Sequence, residues 1–358
     1  MSTATATAVK NENVVKNAKP ETAIDKLWFT RCGVPTATGL AYRLGWLSEG
    51  FAADGISIST LQEQDSNSEL RRHHYDHELP GLFREGGNLL AIAARAQGAP
   101  TRLIGLTWID EGQSIIVRPG SGITEPKHLK GLRVALPSYS EFPIQKATRG
   151  RSIWRGMTLH GVKGALSYAG LTLDDVQFVE LKTPSLEDGL KAVLEGRADA
   201  AYVKGAGAAD TVKRLGLVVG IDLDKLPDRR FRVNNGTPRP ITVHEDLINN
   251  HFDLVVKFLY QSLRAAEWAK TNLAGVQKVL QSETRGSAEG VTATYRDGFH
   301  KSLYPDLSHE RLELFRQQKD FLLVHGILDR DFDFDAWADH RPLAAAWKCW
   351  LNANRTAQ

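Results

Sequence analysis

The sequence predicts an α/β protein, and three observations carry that expectation. Short apolar or alternating runs of strand length alternate with helical runs from residue 27 to residue 223. The alternation restarts after a Gly-containing break, "GSGITEP" at 120–126. The chain, 358 residues and 42% hydrophobic, is long enough for two domains of ordinary size with sizeable cores. Strands that alternate with helices indicate a largely parallel sheet.

Taken in order, residues 27–31 alternate apolar and polar side chains and read as a strand, 36–47 as a helix, 48–55 as a turn and 56–61 as a second β run. A polar loop at 62–76 separates that run from 82–97, whose Leu-Leu-Ala-Ile-Ala-Ala centre reads as helical. Residues 101–108 and 114–117 are two further short strands. In the second cycle, 123–129 is a helical lead-in, 132–136 a strand, 149–170 a long helix, 176–181 a strand, 186–195 a helix and 198–202 a strand of small residues. Residues 217–223 continue the alternation. After the Pro- and Gly-rich "NNGTPRPITVHEDL", at 234–247, the chain reads as helical over 251–280, 286–298, 308–325 and 335–350. Residues 1–25 read as a polar, disordered arm.

Composition excludes several classes of function. A formal charge of +3 and the lack of a dense Lys/Arg cluster give no expectation of nucleic acid as a partner. No run approaches the roughly 20 apolar residues of a membrane span, so no membrane partner is expected. The first residues lack the charged start and apolar core of a secretory signal, which points to a cytoplasmic location. Two cysteines far apart in sequence, Cys32 and Cys349, read as free thiols in a reducing compartment. Cys349, in the amphipathic "AAAWKCWLN", is expected to be buried packing.

Two segments are informative as a pair. "HLKGLRVAL" (128–136) ends a helical turn at Lys-Gly and enters a strand, and "GLKAVLEGRADAAYV" (189–203) ends a helix at Glu-Gly before a small apolar strand. Both resemble the helix-to-strand openings of the second lobe in type II periplasmic-binding-protein folds. That resemblance implies two α/β lobes with a central cleft at the carboxyl ends of the strands. It also implies that the chain crosses between lobes twice. On this plan residues 26–118 form the first part of lobe 1, 119–236 form lobe 2, and 237–358 return to lobe 1 and add the C-terminal helices.

Cys32 then ends the first strand, and the helix beginning near Thr36 points its N-terminus at the cleft, a setting that lowers a thiol pKa. The plainer reading is a buried cysteine acting as a small hydrophobe. A second cluster, "SELRRHHYDHELPGLFREGGN" at 68–88, gathers His73, His74, His77, Asp76, Arg84 and the pair Gly86 and Gly87. A metal on His74, His77 and Asp76 is not expected, because one loop does not close a site and no second ligand cluster stands out. An arginine followed by two glycines at a helix start makes a good oxyanion receptor.

"RCGVPTATGLAYRLGWL", the Tyr-Asp and Arg-x-Gly-Gly of "HHYDHELPGLFREGGN", "RLIGLTW" and "FRQQKDFLLVHGILDRDFDFDAWA" resemble the aromatic sulfinate desulfinases of dibenzothiophene desulfurisation. The resemblance runs over most of residues 27–350. Residues 138–155 depart from the family in length and composition. It implies hydrolysis of the carbon–sulfur bond of an aryl sulfinate to release sulfite, with no metal or organic cofactor and a small anionic aromatic substrate; a monomer is expected. It further implies that Cys32, in its Cys-x-Val-Pro context, is the catalytic thiol and that Arg84, with Gly86 and Gly87, is the sulfinate receptor. A loop histidine completes the set: His74 is preferred as catalytic, with His73 beside it as a substrate-binding residue.

The residue types suit that chemistry. A sulfinate wants a cation and N–H donors, and a thiol can protonate the ring carbon or attack sulfur. Trp28, Trp108, Trp154, Tyr139 and Phe142 are available to pack an aryl ring. The competing expectation is the binding protein of a sulfonate-, nitrate- or taurine-type transporter, or a small-molecule sensor on the same fold. Such a receptor has no use for a thiol in its cleft.

Overall fold

The computed structural model describes residues 24–139, 153–183, 185–295 and 297–355. Most of the expected N-terminal arm, together with Phe142, lies outside the described residues. In chain order the strands are β1 (Lys26–Arg31), β2 (Ser57–Thr60), β3 (Leu82–Glu85), β4 (Thr101–Thr107), β5 (Gln113–Val117), β6 (Arg133–Leu136), β7 (Gln177–Glu180), β8 (Ala200–Lys204), β9 (Val218–Asp222) and β10 (Arg239–His244). They form two five-stranded sheets, ordered β2-β1-β3-β10-β4 and β7-β6-β8-β5-β9. Helices cover both, giving the two-lobed periplasmic-binding-protein architecture.

Each sheet is parallel except for one kind of intruder. β10 runs antiparallel to β3 and β4, and β5 runs antiparallel to β8 and β9. The reason lies in the crossings. β4 ends at the cleft, the chain crosses by the short segment 108–112, and β5 therefore starts at the cleft, opposite in sense to strands that end there. β10 returns in the same way from 223–238. The first crossing thus precedes β5, so 113–117 belongs to the second sheet and not to the first as expected.

Expectations at two segments beside the cleft are corrected as well. Residues 82–97, read as one helix, are strand β3, a Gly86-Gly87 turn and a helix at Asn88–Ala96. A four-residue apolar run has no periodicity of its own; pairing of Trp28 with Leu82 through Arg31 with Glu85 makes it a strand. Residues 239–244, read as part of a Pro-rich break, are β10. Pro240 precedes the ladder to β3, which begins at Ile241, and its carbonyl still accepts from Gly86 N–H at 3.4 Å.

The first lobe is held by aromatic packing behind the strands that lead to the cleft. Phe258, on the helix Phe252–Thr271, is fully buried; its ring stacks on Phe83 of β3 at 3.9 Å and meets Phe29 of β1 edge-on at 5.7 Å. Phe258→Ala is expected to destabilise the protein by about 3–5 kcal/mol, read as a lowered denaturation midpoint with an unchanged slope. Cys349 is exposed, not buried as expected, because the buried positions of the helix Arg341–Arg355, Pro342, Leu343 and Ala346, all lie in its first half and the cysteine comes after the last of them. Both cysteines are free thiols. Among the described residues no helix is long and apolar enough to cross a membrane.

Candidate active site

Cys32 directly follows β1, and its N–H donates to Glu85 O at 3.2 Å, so the β1–β3 ladder fixes it beside the turn that ends β3. The Gly87 N–H, at the start of the helix Asn88–Ala96, points at Cys32 Sγ at 3.4 Å. The backbone donor to the thiol thus comes from this helix, while the helix after Thr36 is capped by its own Thr36 hydroxyl, which accepts from Gly39 N–H. A Cβ on Gly86 would lie 2.8 Å from Arg84 Nη2 and 2.9 Å from Cys32 Sγ, so thiol and guanidinium close on the turn from two sides.

Arg84 is only 1% exposed and donates through Nη2 to Gly87 O at 3.0 Å. Burial lowers its pKa to about 10, so it is a cation at neutral pH. His74 sits in the short helix His73–Asp76. Its Nδ1 pairs with Thr30 Oγ1 at 2.7 Å, and Thr30 in turn accepts from Gln62 Nε2 at 2.7 Å. His74 and Cys32 both line the cavity in front of the thiol. Burial by itself would push the thiol up; the His74 hydrogen bond and the charges of His74, Arg84 and Arg239 outweigh it and bring the pKa from 9.0 down to about 5. Alkylation of Cys32 by iodoacetamide, followed in a Cys349→Ser background, should therefore reach half its maximal rate near pH 5. A midpoint near the ordinary thiol value would show that these charges do not act on it.

A cavity of about 340 Å³ opens in front of the thiol, at the level of both crossings. Cys32, His74 and Gly87 lie on its wall; Arg84 and Gly86 lie behind it. His73 pairs with Asp76 at 2.7 Å and is not on the wall, which separates the two loop histidines. Val34, Leu90, Ile153, Trp154 and Met157 supply an apolar side. Of the other aromatics considered from sequence, Trp108 is buried beside Val233 and Leu314, and Tyr139 packs under Arg155 at 4.1 Å.

The rest of the lining comes from residues the sequence reading did not find: Glu111 from the first crossing, Lys204 from the end of β8, Asn235 and Gly236 from the second crossing, and Arg239 from β10. Lys204 Nζ lies 3.3 Å from Glu111 Oε2. Asn235 caps the helix Asn88–Ala96, its carbonyl accepting from Asn88 N–H at 2.6 Å and its side chain from Leu89 N–H at 2.8 Å. A signal was available: "NNGTPRP" joins an arginine to amide and glycine residues in a break between elements, as "FREGGN" does. Among the described residues no group of three His, Cys, Asp or Glu side chains is placed to hold a metal ion.

Comparison with known proteins agrees with this architecture. A family model described as NMT1/THI5 like matches residues 47–272. The 2'-hydroxybiphenyl-2-sulfinate desulfinase of Rhodococcus erythropolis is 25% identical over 347 residues, covering 88% of this chain and 91% of the relative. A crystal structure of a cysteine-to-serine mutant of DszB in complex with biphenyl-2-sulfinic acid superposes with a TM-score of 0.67 at 21% identity, over 91% of this chain and all of that one. The periplasmic aliphatic sulphonate binding protein SsuA from Escherichia coli superposes with a TM-score of 0.66 at 16% identity, over 89% of this chain and 93% of that one. The resemblance to aromatic sulfinate desulfinases noted in the sequence therefore extends along most of the chain, while the fold is shared as closely with a receptor.

Proposed function

This chain belongs to the NMT1/THI5-like family, and from that premise we propose that it hydrolyses the carbon–sulfur bond of an aryl sulfinate, releasing sulfite. The observation that carries the reading is the Cys32 thiol on a cavity wall shared with His74, Lys204, Arg239 and the apolar Val34, Leu90, Trp154 and Met157, with Arg84 buried behind it. A cysteine placed only for packing has no need of a cationic setting; a residue that exchanges protons does.

In the proposed reaction the aryl ring packs against Val34, Leu90, Trp154 and Met157, and the sulfinate faces the thiol. Arrival of this anion beside a thiolate raises the thiol's proton affinity. The imidazole of His74 relays a proton to Cys32, held in orientation by Thr30. The thiol then protonates the ring carbon bearing sulfur. As the carbon–sulfur bond breaks, its electron pair returns to the ring and sulfur leaves as sulfur dioxide, which adds water to give bisulfite; the proton released restores the starting state. Protonation of carbon is favoured over thiolate attack on sulfur because the latter would expel an aryl carbanion. Arg84 acts from behind the wall, holding the Gly86-Gly87 turn through Gly87 O and favouring the charged thiol.

The test is sulfite release from purified protein offered a panel of aryl sulfinates. Sulfite accompanied by the desulfinated arene supports the reading. A Cys32 S-sulfinate adduct (Cys–S–SO2⁻), detected by mass, would replace the proton-donor route by attack at sulfur with loss of the protonated arene. The similarity to SsuA favours a second reading, a sulfonate-binding protein, which tight binding of aryl sulfonates with no sulfite from any sulfinate would support.

A further inference from the structure

The backbone donors around the thiol are already engaged. Gly86 N–H faces Pro240 O at 3.4 Å, Gly87 N–H faces Cys32 Sγ at 3.4 Å, and the N–H groups of Asn88 and Leu89 are held by Asn235 at 2.6 and 2.8 Å. The turn that the sequence offers as an oxyanion receptor therefore has no free N–H in its first four positions. Arg84 does not reach the cavity either; it is buried behind Gly86, with one nitrogen committed to Gly87 O. Arg84 Nε and Nη1 and Arg239 Nε and Nη1 are alike buried without a partner, and what sets Arg239 apart is its place on the cavity wall. It lines the cavity together with Cys32 and His74, although its residue surface is only 3% exposed. Its guanidinium makes no hydrogen bond among the described residues, and Nε and Nη1 are buried without a partner. The neighbouring carboxylate oxygen, Glu111 Oε2, is 3.8 Å from Nη2 and only 3.3 Å from Lys204 Nζ, so Glu111 is engaged chiefly by the lysine.

We infer that Arg239 is the cation that meets the substrate's anionic sulfur group, with Arg84 supporting the thiol and its turn from behind. This assignment rests on the sulfinate reading for the identity of the anion, and any singly charged aryl sulfinate or sulfonate would satisfy the same chemistry. A buried guanidinium with unused donors is costly unless an anion completes it, and of the two arginines only Arg239 stands where an anion in the cavity meets it. The binding preference follows: a charged sulfonyl group is selected over a neutral one of the same shape.

The experiment is calorimetric binding of benzenesulfonate, an unreactive anion, and of neutral methyl phenyl sulfone to the parent protein and to Arg239→Gln and Arg239→Lys. Benzenesulfonate affinity should fall roughly 10–100-fold in Arg239→Gln, the range expected when a charge-assisted hydrogen bond is lost. Lys at this position should restore part of that loss. Binding of the sulfone should be unchanged, which a variant that merely damaged the fold would not achieve. Equal affinity for benzenesulfonate in Arg239→Gln, an equal loss for both ligands, or no binding of benzenesulfonate by the parent overturns the assignment. Failure of the desulfinase reading is seen separately, as absence of sulfite from the parent protein.

Discussion

Cys32→Ser is expected to lower sulfite release by roughly 10²–10⁴-fold, the contribution of a positioned proton donor, while the thermal midpoint stays close to that of the parent. The serine hydroxyl fits the space of the thiol, and Cys32 is partly exposed on the cavity, so little packing is disturbed. The chemistry is another matter. A hydroxyl is not ionised by the cations that bring the thiol to about 5, and it neither stores nor delivers the proton that the ring carbon needs. A second consequence runs in the opposite direction. Removing the thiolate takes a competing negative charge away from Arg84 and Arg239, so aryl sulfonates should bind Cys32→Ser more tightly than the parent. Retained sulfite release would remove Cys32 from the reaction, and weakened sulfonate binding would show that the thiol does not repel the anion.

Gly86→Ala is expected to have the next largest effect, a loss of roughly 10²-fold in turnover, as for a misplacement of about 1 Å in a reacting group. The added Cβ would lie 2.8 Å from Arg84 Nη2, 2.9 Å from Cys32 Sγ and 3.0 Å from Arg84 Cζ. Gly86 is not among the positive-φ glycines, so alanine is compatible with the backbone, and the clash falls on two side chains alone. Arg84 is buried and donates to Gly87 O, so the guanidinium and the thiol both have to shift, and either shift separates them. Moving Sγ away from Arg84 weakens one of the charges that hold its pKa down, so the alkylation midpoint should rise above about 5 together with the loss of sulfite release. Full activity with an unshifted midpoint would show that the turn opens freely and that the contact with Gly86 has no functional weight.

The cysteine and the arginine-glycine turn were legible in the sequence because their meaning is local. Cys32 stands between an apolar run and a Gly-Val-Pro turn, and Arg84, Gly86 and Gly87 stand together before a helical segment. Strand and helix alternation was legible for the same reason, since burial on one face or all round imprints a period on neighbouring residues. The strand β3 was not, because four residues carry no period and only their ladder with β1 makes them extended. β10 was hidden by Pro240, which the structure tolerates just before the ladder with β3 begins.

The sequence by itself determined the α/β class and the placing of a cysteine after the first strand and an arginine-glycine turn before a helix. Tertiary structure alone decided which loop histidine and which arginine line the cavity with that cysteine, and that Glu111, Lys204 and Asn235 line it too. The physical reason is that those residues are brought together by the pairing of β10 with β3 and β4 and by two crossings between sheets. Such contacts are fixed by backbone hydrogen bonds between segments far apart in the chain, and no run of neighbouring side chains records them.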